Sequence, residues 1–96
     1  MRTILITGAA GNIGAKLAAH FKASGAYTLR LLDLEAGADI AAADLAVYQG
    51  WPALFEGVDT VLHFACDPRG TASWADVKRA NILGTQHVLR AAREAK

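Results

Sequence analysis

The stretch TGAAGNIG at residues 7–14 directly follows the apolar run ILI at residues 4–6. It places three glycines, Gly8, Gly11 and Gly14, at intervals of three residues. A loop that only reverses the chain needs one glycine, so three at fixed offsets indicate that another group comes very close to the backbone. The residues around this stretch indicate what that group is.

The glycine-rich stretch lies between a predicted strand and a predicted helix. Residues 2–7 are apolar and β-branched, which is typical of a buried strand. From Asn12 onward apolar side chains recur every four residues up to Phe21, which predicts a helix that ends at Gly25. The N-terminus of such a helix presents unpaired N–H groups and the positive end of its dipole, and this combination binds phosphate.

The three glycines and an acidic residue together predict a dinucleotide site. Gly8 permits a tight turn, Gly11 lets a pyrophosphate approach the backbone, and Gly14 lets the helix pack close to the sheet. Asp33 follows 19 residues after Gly14, at the end of the next predicted strand, where a carboxylate would bind a ribose diol. No arginine occurs at residues 34–36, which favours NAD over NADP. The alternative is a glycine-rich turn that binds nothing, and the register of strand, loop, helix and acid argues against it.

The remainder of the chain continues the alternation of strands and helices. Strands are predicted at residues 27–33, 39–43 and 58–65, a short helix at 46–57, and a long helix over 74–96. Strands that alternate with helices indicate βαβ units and a parallel sheet. An α/β domain is therefore the predicted fold class.

Length, composition and charge exclude several classes of protein. With 96 residues the chain is at most one domain, and its formal net charge of +1 provides no field that would recruit nucleic acid or an anionic membrane. Cys66 is the only cysteine, so no intrachain disulfide forms and a reducing compartment is expected. No apolar stretch approaches the length of a signal-peptide core or a membrane span. We therefore expect a soluble cytoplasmic protein without a nucleic-acid or membrane partner.

Five stretches of the chain, taken in order, resemble the extended branch of the short-chain dehydrogenase/reductases. They are TGAAGNIG, LLDLE, ADL, VLHFAC and ANILGTQHVLRAAREA. That branch includes NAD-dependent sugar epimerases, dehydratases and uronate dehydrogenase-like enzymes, and the resemblance covers essentially all 96 residues. It implies a Rossmann-type, doubly wound parallel sheet of about four strands in the order 3-2-1-4, with helices on both faces.

The resemblance also implies cofactor contacts at the amino-terminal motifs. The three glycines match the phosphate loop, in which Asn12 and Ile13 would supply N–H groups. Asp33 matches the ligand of the adenosine ribose. Asp44 and Leu45 match the pair that contacts adenine, with the carboxylate accepting from the exocyclic amine.

Further contacts are implied after the fourth predicted strand. Phe64, Ala65 and Cys66 match the segment that lines the middle of the cofactor. Asn81 matches an asparagine of the following helix that lies near the nicotinamide half and helps to organise the active site. The residues DPRG at 67–70 resemble the variable loop that begins the substrate side in sugar-acting members.

The catalytic motif of the family, Tyr-x-x-x-Lys, has no counterpart here. Tyr27 is followed four residues later by Leu31, and Tyr48 by Pro52. In the family this motif comes after a fifth strand. We therefore expect residues 1–96 to form a single NAD(P)-binding domain that ends before the catalytic half, with no catalytic residue and no turnover of its own.

Several residues also have a purely structural interpretation. His63 lies in an apolar strand without an evident carboxylate or nucleophile partner, which favours a structural histidine over a catalytic base. Cys66 is expected to be a buried small hydrophobe rather than a nucleophile. Trp51 and Trp74 are expected to pack, and Asp44 has the alternative role of a turn or cap residue.

The leading interpretation is the NAD-binding part of a sugar-acting oxidoreductase, epimerase or dehydratase. The alternatives are a non-catalytic dinucleotide-binding or redox-sensing module and a folded fragment without independent function. His20 and His87 have no partners at metal-ligand spacing, so no metal site is expected. A sugar or sugar-nucleotide substrate is expected only for a full-length parent. The strand at 58–65 would lack its neighbour, so we expect a homo-oligomer formed through that sheet edge.

Overall fold

A computed structural model describes residues 1–95 as a four-stranded parallel sheet in the order β3-β2-β1-β4. The strands are β1 (Arg2–Thr7), β2 (Tyr27–Asp33), β3 (Ile40–Ala42) and β4 (Thr60–His63). Strand β1 pairs with β2 on one side and β4 on the other, while β3 pairs with β2. The predicted strand order and α/β class are confirmed.

Helical segments connect the strands and cover both faces of the sheet. They are α1 (Asn12–Ser24), a 3₁₀ helix (Trp51–Phe55), α2 (Trp74–Val77), a π-helical segment (Lys78–Leu83) and α3 (Gly84–Ala95). The last three are continuous, and we refer to residues 74–95 as the C-terminal helix. Among residues 1–95, none of the helices combines the length and the apolar character that a membrane crossing requires.

The side chains of β1 alternate between two hydrophobic clusters, one on each face of the sheet. Leu5 points toward the cluster under the 3₁₀ helix and α3, whereas Ile4 and Ile6 point toward the cluster under α1. Because β1 is an inner strand with a hydrophobic cluster on each face, Leu5 and Ile6 are fully buried. This burial on both faces explains why β1 is a continuous apolar run in the sequence.

Three elements are shorter than the sequence predicts. Strand β3 covers Ile40–Ala42 rather than residues 39–43. Strand β4 runs from Thr60 to His63 rather than from residue 58 to residue 65. The N–H of Phe64 still bonds to the main-chain carbonyl of Thr7, whereas the N–H of Ala65 bonds to the Thr7 side-chain oxygen instead, so the chain leaves the ladder there. The predicted helix at 46–57 is reduced to the 3₁₀ turn that follows Gly50, whose φ is +79°. The last predicted helical position, Lys96, lies outside the described residues.

The two tryptophans differ, and the expectation that both pack is wrong for one of them. Trp51 is 5% exposed, and its indole N–H donates to the carbonyls of Asp44 and Val47. Trp74 is 69% exposed. It lies in α2, which buries none of its residues, because the C-terminal helix reaches the core only from Gly84 onward.

Candidate functional site

The glycine-rich loop is shaped mainly by the protein's own backbone. Gly8 has φ +67°, and a Cβ there would lie 2.7 Å from the carbonyl carbon of Phe64 and the nitrogen of Ala65. A Cβ on Gly14 would overlap the carbonyl oxygen of Gly8 and lie 2.9 Å from its carbonyl carbon. Gly11 is exposed, and a Cβ there would meet only the Gly8 oxygen, at 3.2 Å. Gly11 is therefore the glycine that leaves the backbone open to a ligand.

The N-terminus of α1 is open to an anion. Gly11 is the N-cap residue, so no side chain accepts from the first-turn N–H groups, and the first turn carries no acidic residue. Asn12 and Ile13 are both exposed, Ile13 by 57%. Unpaired N–H groups at the positive end of a helix dipole attract phosphate oxygens, so this end of α1 has the chemistry of a pyrophosphate site.

Asp33 lies beside the glycine loop, as the sequence predicts. Its Oδ2 accepts from the N–H of Ala10 at 2.9 Å, and its Oδ1 accepts from the N–H of Leu34 at 2.7 Å. Its main-chain carbonyl accepts from the N–H of Ala43 at 2.7 Å. Each carboxylate oxygen keeps a further lone pair, so Asp33 can still accept from a pair of hydroxyl groups.

Asp44 and Leu45 are held by the C-terminal helix. The Asp44 carboxylate forms an ion pair with Arg79 and also accepts from the N–H of Ala46 at 3.1 Å. The side chain of Leu45 belongs to the core, and its carbonyl accepts from Nδ1 of His87 at 2.6 Å. The bond to Ala46 is the turn role considered for Asp44. The ion pair with Arg79 has no counterpart in the sequence pattern, because no local spacing links positions 44 and 79.

Thr7 connects the ends of β1 and β4. Its buried hydroxyl oxygen lies 3.1 Å from the nitrogen of Phe64, 3.2 Å from that of Ala65 and 2.6 Å from Nδ1 of His63. The oxygen accepts from both N–H groups, so its own proton is donated to Nδ1 of His63. Sequence reasoning misses Thr7, although a threonine just before the first glycine is the available signal.

His63 is a structural residue in this arrangement. With Nδ1 acting as an acceptor, Nε2 carries the proton and donates to the hydroxyl of Thr85 at 3.0 Å. Burial lowers the pKa of His63, because the charged imidazolium loses hydration. Both ring nitrogens are occupied, so the side chain has no free atom with which to act as a general base.

The segment after β4 corrects one expectation and places another residue. Cys66 is exposed, not buried, because the chain has left the sheet after His63. Asn81 accepts at Oδ1 from the N–H of Asp67 at 2.6 Å and donates from Nδ2 to the Asp67 carbonyl at 3.2 Å. Arg69 donates to the Asp67 carboxylate and lowers its pKa to about 2. Asn81 therefore fixes the backbone of this loop.

All these residues lie at one edge of the sheet. The glycine loop follows β1, Asp33 ends β2, Asp44 follows β3, and residues 64–67 follow β4. In open parallel sheets, ligands bind outside the carboxyl ends of the strands, at the point where the strand order reverses. That point here lies at β1, directly beneath the glycine loop.

The fold and this edge define the class of Rossmann-type dinucleotide-binding domains. Residues 4–96 match the NAD dependent epimerase/dehydratase family. The chain belongs to that family.

Curated relatives and solved structures agree with this assignment. The chain is 36% identical over 100 residues to the NAD-dependent glucose-6-phosphate dehydrogenase of Haloferax volcanii, and the match covers 93% of this chain and 37% of the relative. It is also 36% identical over 93 residues to an L-arabinose 1-dehydrogenase (NAD(P)(+)) of the same organism, covering 96% and 36%. A uronate dehydrogenase variant from Agrobacterium tumefaciens complexed with NAD has a TM-score of 0.79 at 30% identity, covering 98% and 37%. The chain thus spans little more than a third of the length of these proteins.

Proposed function

We propose that this chain binds NAD(H) as the nucleotide-binding part of a sugar-acting dehydrogenase, epimerase or dehydratase. The observation that carries the proposal is the meeting of Gly11, the open N-terminus of α1 and the Asp33 carboxylate at one sheet edge. A pyrophosphate has N–H donors there, and a ribose has a carboxylate acceptor beside them. The sugar dehydrogenases among the relatives support the substrate class.

The proposed cofactor is NAD(H) rather than NADP(H). The Asp33 carboxylate accepts from a 2′-hydroxyl group but repels a 2′-phosphate. The test is calorimetric or fluorescence titration of the chain with NADH and NADPH. We expect NADH to bind at least about tenfold more tightly, the effect of one charge-assisted hydrogen bond. Tighter binding of NADPH would overturn this choice.

Two matched variants separate the role of Asp33 from that of negative charge in general. Asp33→Asn removes the charge but keeps an acceptor oxygen for the Ala10 N–H, and we expect it to narrow the difference between NADH and NADPH. Asp39→Asn removes the charge of an exposed carboxylate that pairs with Lys22. We expect the second variant to leave the cofactor preference unchanged.

The proposed roles of the remaining site residues follow the course of the bound cofactor. Asp44 and the backbone of Leu45 would contact adenine, residues 64–66 would line the middle of the cofactor, and Asn81 would hold the loop beside the nicotinamide half.

When bound, NAD supplies the hydride acceptor for a sugar carbon. We propose that the Tyr-x-x-x-Lys pair needed for that step lies outside residues 1–96, so this chain alone should show no turnover with sugars or uronates. Turnover that survives repurification and is abolished by a substitution within the chain would contradict this.

We further propose that the chain is a single domain that self-associates through the free side of β4. This strand pairs only with β1 among the described strands, so one row of its N–H and C=O groups faces outward. Such an edge can pair with a second copy. Sedimentation at micromolar concentration is the test, and a clean monomer with a cooperative thermal transition would contradict it.

The single, exposed Cys66 is compatible with a reducing compartment such as the cytoplasm.

A further inference from the structure

We infer that Arg79 determines the preference of this site for adenine, by holding the Asp44 carboxylate in position to accept from the exocyclic amino group. The inference rests on the proposed NAD(H) binding and adds a residue to it. Arg79 lies on the C-terminal helix, and its guanidinium forms an ion pair with the Asp44 carboxylate across 35 residues of sequence. Its contact is with the Asp44 carboxylate, so the role assigned to it is that of a positioning residue.

Asp44 is fixed at each of its acceptor atoms. Its main-chain carbonyl accepts from the N–H of Val47 at 3.0 Å and from Nε1 of Trp51 at 3.1 Å. Its Oδ1 accepts from the N–H of Ala46, and its Oδ2 accepts from Arg79. Of these bonds, only the one to Arg79 holds the outer carboxylate oxygen, so its removal frees the carboxylate plane to turn.

The carboxylate remains available to a ligand while it is held. Its side chain is 41% exposed, and two of about four lone-pair positions are used by Ala46 and Arg79. Adenine presents an N–H donor at its exocyclic amine, whereas hypoxanthine presents a carbonyl oxygen there. A fixed carboxylate therefore favours adenine and repels hypoxanthine, and a mobile carboxylate discriminates less.

The C-terminal helix also holds the neighbouring residue, which supports a positional role for this contact. His87 donates to the carbonyl of Leu45, and a Cβ on Gly84 would contact the Leu45 side chain at 3.5 Å. The 44–45 segment is thus bonded to the helix at two points, by Arg79 and by His87. Of these, only Arg79 contacts the functional group that would meet the base.

The test compares binding of NADH with binding of its deaminated analogue, reduced nicotinamide hypoxanthine dinucleotide. For the parent chain we expect NADH to bind about tenfold more tightly, as one hydrogen bond to a charged group predicts. For Arg79→Ala we expect the ratio of the dissociation constant of the hypoxanthine analogue to that of NADH to fall to about twofold or less, mainly because NADH binds more weakly. A ratio that stays near its parent value would overturn the inference.

A control variant and a second substitution isolate the contact between Arg79 and Asp44. Lys78→Ala removes the same charge one position away, from an exposed side chain that pairs with no carboxylate among residues 1–95, and should leave the ratio unchanged. In an Asp44→Asn background, Arg79→Ala should change the ratio no further, because both act on one contact. The inference would be overturned if Arg79→Ala lowered the ratio of the two affinities in the Asp44→Asn background as much as it does in the parent chain. It would also be overturned if the single Arg79→Ala variant bound NADH and the hypoxanthine analogue more weakly by the same factor. If the parent chain binds neither dinucleotide, the proposed function itself fails. If it binds both equally, only this inference fails.

Discussion

The glycine loop and the C-terminal helix build the same sheet edge by different means. The loop is fixed by close backbone contacts, of Gly8 against Gly14 within the loop and of Gly8 against Phe64 and Ala65 just after β4. The helix works through side chains that reach distant segments: Asn81 across 14 residues, Arg79 across 35 and His87 across 42. Side chains therefore do not fit at Gly8 or Gly14 of the loop, whereas the helix contributes through particular side chains whose loss would free the segments that they hold.

The strongest test of this difference replaces one buried glycine in each region by alanine. In Gly14→Ala the new methyl group would overlap the Gly8 backbone, so we expect a loss of about 3 kcal/mol in the free energy of unfolding and no NADH binding. In Gly84→Ala the methyl group would lie 3.5 Å from Leu45 in a helix with φ −57°, and we expect a gain of about 0.5 kcal/mol. Urea denaturation measures both. If both variants lost the same free energy of unfolding, the loop and the helix would not differ in their tolerance of an added methyl group at these glycines.

A second pair of variants compares the threonine beneath the loop with the threonine on the helix. Thr7→Val keeps the shape of the side chain but leaves the N–H of Ala65 and Nδ1 of His63 without their partner, which should cost about 2 kcal/mol. Thr85→Val removes only the bond to Nε2 of His63 and should cost about 1 kcal/mol. Thermal unfolding of both variants is the measurement. A larger loss for Thr85 would show that the helix, not the strand end, anchors His63.

His63 links the two regions, because its ring bonds to Thr7 beneath the loop and to Thr85 on the C-terminal helix. Acid should lower the free energy of unfolding through His63, and the partial exposure of the ring limits the size of this loss. Burial lowers the pKa of His63 in the folded state, so below about pH 6.5 the unfolded chain binds more protons at this site. The free energy of unfolding should therefore fall as the pH drops through that value, and then level off below the folded-state pKa. Denaturation at a series of pH values from about 7.5 down to about 4.5 tests this. The range includes the reference pKa of histidine, roughly 6.5, and stays above that of the carboxyl groups, roughly 4.

Two controls isolate His63 in that pH series. Asp67 stays charged over the range, because Arg69 lowers its pKa to about 2. His63→Gln should remove the acid-dependent step, and His20→Gln, at an exposed position of α1, should keep it. A step that persists in His63→Gln would assign the pH dependence to another group.

The smallest effect is expected at the outer end of the C-terminal helix. Trp74 is 69% exposed and packs in neither core cluster, so Trp74→Ser should change the free energy of unfolding by less than about 0.5 kcal/mol. Chemical denaturation at two protein concentrations is the measurement. A loss above about 1 kcal/mol that grows with concentration would place Trp74 in a contact between copies of the chain.

The parts of the fold that depend on local pattern can be predicted from the sequence. Strand β1, strand β2 and the start of α1 at Asn12 agree with the predicted positions, since apolar periodicity and glycine placement determine them over a few residues. The strand order follows from the family resemblance and is confirmed. The proximity of Asp33 to the glycine loop is also predictable, because parallel strands end at one edge.

The parts that depend on contacts between distant residues could not be predicted. Strand β4 ends early because the side-chain oxygen of Thr7, more than fifty residues away, accepts from the N–H of Ala65 in place of a main-chain carbonyl. The exposure of Cys66 follows from the same contact, so both errors have one cause. The pairing of Arg79 with Asp44 leaves no local pattern, because each residue alone resembles an ordinary surface charge.

The π-helical segment at Lys78–Leu83 gives the C-terminal helix two rotational phases. The N–H of Gly84 bonds to the carbonyl of Arg79, five residues back instead of four, so everything after it is turned by about 100° relative to an unbroken α-helix. Within the π-helical segment Arg79 bonds to Asp44 and Asn81 bonds to the backbone of Asp67, whereas Val88 and Ala91 after it pack in the core. The one-residue offset therefore lets a single helix serve both the loops at the sheet edge and the core, and His87 beyond the offset still bonds to Leu45.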